Sequence, residues 1–230
     1  METISTGEKQ LDAIIQGIRY RQLVAIAGDS QTGKTWLVDT LFHSAYEKGF
    51  NIVHISKHAA QKDYKNIPSI PMDDFRIFGD DEDDKGCYLL LANSLDLPSL
   101  MATLNQIDKD PGFDLLLIDD LSILDGGEMV EDCNWQVQEL KNLAKDKDFS
   151  VVLTTRLPRD DWWRFRTEAP NLDDLKRVFY PGIADVVILL HDTGVRSELG
   201  DRTIKAMVAK NNAGNTGEYD YIIERGFRAV

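Results

Sequence analysis

Residues 28–35 read Gly28-Asp29-Ser30-Gln31-Thr32-Gly33-Lys34-Thr35, two glycines five positions apart with a lysine and a threonine directly after the second. The flanks constrain the fold further. Leu23-Val24-Ala25-Ile26-Ala27 is a short apolar run of the kind that forms a buried strand, and Trp36-Leu37-Val38-Asp39-Thr40-Leu41-Phe42 has the apolar spacing of a helix. Strand, glycine loop and helix in that order make a phosphate cradle, a P-loop. Gly28 and Gly33 let the backbone wrap a polyphosphate closely, so that successive N–H groups point inward. The new helix aims its positive end at the same point. Lys34 places a charge on the β- and γ-phosphates, and the Thr35 hydroxyl is positioned to ligate Mg²⁺. The pattern predicts a nucleoside triphosphate held by Gly28, Asp29, Ser30, Gln31, Thr32, Gly33, Lys34, Thr35 and Trp36.

The rest of the chain reads as the α/β frame that such a loop needs. Apolar runs at Leu23–Ala27, Asn51–Ile55, Tyr88–Ala92, Leu115–Ile118, Val151–Thr154 and Val186–Leu190 predict buried strands. Lys205–Lys210 and Tyr219–Ile223 predict two final strands joined through Asn212-Ala213-Gly214-Asn215. Helical spacing fills Trp36–Glu47, Ser99–Asp108 and Trp135–Lys145. In the last, Val137, Leu140, Leu143 and Ala144 share one face, and Lys141 and Lys145 are expected on the other. Strands alternating with helices predict a mainly parallel sheet covered on both faces, with a C-terminal antiparallel hairpin. At 230 residues this is one large α/β domain.

Composition narrows the setting. With 26 basic and 39 acidic residues the net charge is −13, a poor start for holding DNA alone, because phosphate neutralisation supplies most non-specific affinity. The densest basic cluster, Arg156, Arg159, Arg164 and Arg166, is interleaved with Trp162, Trp163 and Phe165. Such a segment either stacks bases and neutralises phosphates of a single strand or packs its aromatics on a neighbouring subunit. Asp73–Asp84 is the most acidic stretch and reads as a solvated loop rather than a cation site. Cys87 and Cys133 are too few and too irregular for a disulfide framework or zinc site. The N-terminus lacks a signal peptide's basic start and apolar core, and no run is long enough to span a membrane. A cytoplasmic location is expected.

Phe113-Asp114-Leu115-Leu116-Leu117-Ile118-Asp119-Asp120 is an apolar strand ending in paired carboxylates. After a P-loop, the acid at such a strand tip accepts a hydrogen bond from Mg²⁺-bound water or from the P-loop threonine. Asp119 takes that place. Asp120 either orients an attacking water or points to solvent.

In chain order these segments resemble the C-terminal RecA-like motor domain of the DnaB-type replicative helicases, within the wider group of KaiC-like and RecA-like ATPases. Ser5-Thr6-Gly7-Glu8-Lys9-Gln10-Leu11-Asp12 with Gly17 resembles that domain's N-terminal "S-T-G-x-x-x-L-D … G". Glu139-Leu140-Lys141-Asn142-Leu143-Ala144-Lys145 resembles the family's "LK-x-LA-K" helix, and Thr155-Arg156-Leu157-Pro158-Arg159 its "S-Q-L-N-R". Pro170, Asp174-Leu175-Lys176 and Ala184-Asp185-Val186-Val187 resemble "R-P … DLR … DAD". Lys210-Asn211-Asn212-Ala213-Gly214 with Thr216-Gly217 resembles "K-x-R-N-G-x-x-G". The resemblance implies one RecA-like domain over residues 1–230, with ATP and Mg²⁺ as cofactors and Thr35 and Asp119 at the metal.

The departures fall on turnover. The family's catalytic glutamate, in "S-L-E-M", corresponds to His58 in Ile55-Ser56-Lys57-His58-Ala59. A neutral imidazole is a weak substitute base and an imidazolium none. The γ-phosphate-sensing glutamine corresponds to Arg156. The arginine finger that reaches a neighbouring subunit's nucleotide corresponds to Asn212, although Lys210 remains. Such a finger is worth about 10³–10⁵ in rate in other P-loop enzymes. The resemblance, which starts almost at the first residue, leads to the expectation of a motor domain alone, without the family's N-terminal domain and linker helix. The leading expectation is an ATP-binding, helicase-like protein of DNA replication or metabolism with weak or absent hydrolysis and a regulatory or assembly role. Its partners would be a helicase or other replication protein, weakly bound single-stranded DNA, or further copies of itself. An active DNA-dependent ATPase working as a ring or with a partner, and a small-molecule phosphotransferase, are the alternatives.

Overall fold

Parallel pairing of buried apolar strands sets the architecture of the computed structural model. It describes residues 3–56, 69–72, 75–78, 87–91, 94–107, 112–125, 129–157 and 168–224. The lead-in comprises β1 (Thr3–Ile4), α1 (Lys9–Ile15) and β2 (Ile18–Arg19). Then come β3 (Leu23–Gly28), α2 (Lys34–Glu47), β4 (Ile52–Ser56), β5 (Ser69–Met72), β6 (Phe75–Phe78) and β7 (Cys87–Leu91). They are followed by α3 (Leu97–Ile107), β8 (Leu115–Asp119), a 3₁₀ turn (Leu121–Ile123), α4 (Val130–Lys147) and β9 (Ser150–Arg156). Last are the short α5 (Leu172–Leu175), β10 (Val186–Arg196), β11 (Arg202–Asn211) and β12 (Gly217–Ile223).

Eight of these strands form one sheet in the order β12-β11-β10-β3-β9-β8-β4-β7. Pairing is parallel from β10 to β7 and antiparallel across β10-β11-β12. Alternation along β3 shows why both faces are covered. Leu23, Ala25 and Ala27 pack in one core with α3 and α4, whereas Val24 and Ile26 pack in the other with α1 and α2. This is the mainly parallel, helix-flanked sheet expected from the sequence.

The C-terminal antiparallel part is larger than expected. Val186–Leu190 pairs with Val24–Gly28 in parallel, but β10 continues to Arg196 and pairs only with β11 beyond that point. The result is an overhanging hairpin, with Arg196 opposite Arg202 near its tip. Polar residues after Leu190 hid this extension from an apolar-run reading. The lead-in was also unassigned, and its cause is Asp12. Its carboxylate accepts from the Ser5 hydroxyl at 2.6 Å and from the Thr6 N–H and hydroxyl at 2.9 and 2.8 Å. The acidic stretch expected to be loop includes β6, which pairs antiparallel with β5; residues 73, 74 and 79–84 lie outside the described residues. No described helix is long and apolar enough to cross a membrane.

Lys141 corrects another expectation. It does not lie on the solvated face of α4 but is buried, and its ammonium donates to the Ile183 carbonyl and, at 2.9 Å, to Asp185. The second Asp185 oxygen accepts the Leu23 N–H at 3.0 Å, tying α4 to the foot of β3 and β10. The lysine's long apolar stem is what permits this placement. Removing Asp185 leaves that ammonium without its counter-charge, a change that typically costs about 3–5 kcal/mol. Asp185→Ala should therefore lower the unfolding midpoint in urea with an unchanged slope; an unchanged midpoint would show the pair to be energetically idle.

Candidate nucleotide-binding site

Two glycines shape the loop after β3, for different reasons. At Gly28 an added Cβ would stand 2.6 Å from the Thr32 hydroxyl and 2.7 Å from the Leu190 carbonyl, so the limit is space. At Gly33 the backbone is left-handed, with φ +86°, and a Cβ would lie 2.4 Å from Ile223. Gln31 is left-handed too, with φ +64°. Such alternation makes a concave nest of N–H groups. Helix α2 starts directly at Lys34, two residues before the expected Trp36, and adds its positive end to the nest.

Inside the loop Ser30 N–H donates to the Asp29 carboxylate at 2.6 Å, and the Thr32 hydroxyl to the Asp29 carbonyl at 2.9 Å. The Lys34 ammonium bridges the carbonyls of Gly28 and Asp29, at 3.0 and 2.6 Å. Burial pulls its pKa down to about 8; Asp120, Asp119 and Asp29 oppose that shift and Arg156 adds to it. Trp36 stacks on Tyr221 of β12 with ring centroids 4.8 Å apart.

Asp119, at the tip of β8, is brought to the loop and is itself buried. One oxygen accepts from Thr35 at 2.8 Å, the other from Thr154 of β9 at 2.6 Å. Thr154 is not among the site residues that the sequence predicts; its signal is a hydroxyl pair ending an apolar strand, Val151-Val152-Leu153-Thr154-Thr155. A hydroxyl beside one carboxylate suits Mg²⁺, which keeps waters and phosphate oxygens instead of filling a protein cage. The described residues contain no cluster of three or more His, Cys, Asp or Glu side chains able to hold a metal.

The other candidates separate. Asp120 accepts from the Ser122 N–H at 2.9 Å and from its hydroxyl, capping the 3₁₀ turn. Arg156 ends β9 exposed, level with Gly28 across the strand pair. Lys210 lies at the opposite end of the sheet, paired with Val187, about 10 Å along the strands from the level of Gly28 at 3.3 Å per residue. Its ammonium donates to the carbonyls of Pro181 and Gly182, each at 3.1 Å, and of Ala184. Asn212 is anchored beside it, donating from its backbone to the Asp185 carbonyl at 2.9 Å and from its amide to the carboxylate at 3.2 Å. His58, Arg159, Trp162, Trp163, Arg164 and Arg166 lie outside the described residues.

A model of the DnaB-like helicase C-terminal domain matches residues 82–229. The chain belongs to that family. The matched span starts after the P-loop, and the solved structures extend the likeness of fold across it. One solved ATPase domain superposes with a TM-score of 0.75 at 17% identity, covering 95% of this chain and 87% of that one. A DnaB-like replicative helicase, described with its interactions with primase, gives 0.74 at 17%, over 95% of this chain and 59% of its own. The chain thus spans less than two thirds of that helicase. A search of the curated proteins gave no match.

The depressed Lys34 pKa predicts a pH signature without nucleotide. Up to about pH 8 folded and unfolded chains both hold the proton, and burial of the charge opposes folding in full. Between about 8 and the ordinary 10.5 the folded chain releases it first, so this contribution to stability rises with pH. Lys34→Met should be more stable than wild type at pH 7, and its advantage should shrink by pH 10. Denaturant unfolding at the two pH values measures the difference, and an advantage independent of pH contradicts the assignment.

Proposed function

We propose that this member of the DnaB-like family binds ATP with Mg²⁺ and hydrolyses it slowly or not at all, acting as a nucleotide-controlled regulatory or assembly component of DNA replication or metabolism. The observation that carries the binding half is the Thr35–Asp119–Thr154 chain of hydrogen bonds against a left-handed glycine loop. Gly28 to Trp36 cradle the phosphates, Lys34 supplies charge, and Thr35 and Asp119 hold the metal. The ion neutralises charge on the phosphate oxygens.

The slow-turnover half is supported by what surrounds the cradle. Asp120 is engaged as a cap. Asn212, at the family's arginine-finger position, carries no charge and is bound to Asp185. Lys210 is the cation that remains there, and within one chain it faces away from the P-loop's end of the sheet, so any help to catalysis has to come from a second copy. His58 replaces the family's glutamate. We take residues 1–230 to act as one RecA-like unit whose oligomeric state or partner contacts respond to ATP, because a ligand shifts an equilibrium by its differential affinity for the two states. The partners proposed are a helicase or other replication protein and, weakly, single-stranded DNA.

ATP should raise the wild-type melting temperature as ligand concentration exceeds Kd, and Lys34→Ala should abolish that shift. An equal shift in the variant defeats the phosphate assignment. Steady-state turnover should stay below the roughly 1–10³ s⁻¹ usual for enzymes. Fast turnover stimulated by single-stranded DNA would instead establish an active DNA-dependent ATPase.

Anisotropy of a labelled single strand should report weak binding that fades between low and physiological salt. Changing Arg164 and Arg166 together to alanine should weaken it further. Tight binding indifferent to both arginines would place DNA elsewhere.

A further inference from the structure

We propose that Arg202, on the C-terminal hairpin, is a positioning residue that holds the P-loop in its anion-binding shape. The proposal rests on the nucleotide-binding reading above. A trans peptide unit points its carbonyl and the following N–H in opposite directions. Whatever holds the carbonyls of Gln31 and Thr32 outward therefore turns the N–H groups of Thr32 and Gly33 inward, toward a phosphate.

Both carbonyls are held from the same hairpin. The Arg202 guanidinium, at the first residue of β11, donates to the Gln31 carbonyl. The Tyr221 hydroxyl of β12 stands 3.5 Å from the Thr32 carbonyl, a longer and weaker contact. Ile223 and Tyr221 also back Gly33 directly.

Gln31 is where the loop needs such a brace. Unlike Gly33 it carries a Cβ, and the left-handed conformation costs such a residue about 1–2 kcal/mol. Conformations of that kind persist when the surroundings over-determine them. A charged donor on the carbonyl supplies the stronger class of hydrogen bond.

The neighbouring arginine is separately occupied. Arg196, opposite Arg202 in the register, is gripped by both oxygens of Asp192 at 2.8 Å each. Asp192 therefore hydrogen-bonds Arg196 with both oxygens, and although the Arg202 charge also helps to lower its pKa, the Arg202 guanidinium donates to the loop. The overhang of β10 beyond Leu190 carries Arg202 past the end of β3, and its side chain reaches the Gln31 carbonyl from there. In this arrangement the hairpin and the nest move as one body, and nucleotide binding is felt in the β10–β11 overhang.

The test compares wild type with Arg202→Ala and Arg202→Lys in two measurements. The first is amide hydrogen exchange of the 28–36 segment without nucleotide. Arg202→Ala should speed exchange there and leave α4 unchanged, and Arg202→Lys, which keeps one charged donor, should restore most of the protection. The second is Mg-ATP affinity by calorimetry. Here Arg202→Ala should weaken binding about tenfold or more, with Arg202→Lys recovering most of the loss. Unchanged exchange in the alanine variant overturns the proposal, as does a loss of protection spread over the whole chain that lysine does not repair. If wild type fails to bind Mg-ATP while the exchange results hold, the nucleotide reading falls and the brace stands.

Discussion

The position of β3 between β9 and β10 is the constraint on which the site depends. Both neighbours run parallel to it, and Gly28 is level with Leu190 on one side and Arg156 on the other. A strand fixed from both edges delivers the loop at one height, and everything placed around the loop takes its position from that height. The Leu157 N–H bonds the Gly28 carbonyl from the β9 side, at 3.2 Å. From the next strand β8 brings Asp119, and Thr154 locks that carboxylate while Thr35 meets it. Helix α2 and strands β8 and β9 are thus cross-linked at one spot by two hydroxyls and one buried acid.

The glycine loop, the parallel order and the placement of Asp119 beside that loop were legible because each is written locally, as glycine spacing, as apolar runs and as an acid at a strand tip. What was not legible depends on pairing over long distances. Arg202 lies 171 positions from the carbonyl it meets, and neither residue type alone announces a contact. Lys141 was misread because helical periodicity assigns a lysine to water, whereas a partner from the foot of β10 makes its burial tolerable. The extension of β10 was missed because its second half pairs on one edge and does not need continuous apolar residues.

Three lysines share one physical theme. Lys34, Lys141 and Lys210 each point the ammonium at backbone carbonyls, and Lys141 adds a carboxylate. Lys34 and Lys210 both have lowered pKa values, through burial first. Carbonyl cages of this kind hold a cation by its hydrogen bonds without neutralising it. At the P-loop that leaves a positive charge for an anion to meet; at the foot of the sheet it stitches the segment before β10 to the end of β11.

That stitching has a consequence for what position 212 can accept. Asn212 does not simply lack a charge: its amide is one of the groups that satisfy Asp185, whose carboxylate also serves Lys141 and the start of β3. An arginine placed at this position would bring a second cation beside Lys141 and, while holding Asp185, would not be free to extend outward. Freeing such an arginine would call for a second change at Asp185 or Lys141. Position 212 is thereby tied to its neighbours, because its side chain is built into the masonry of the sheet.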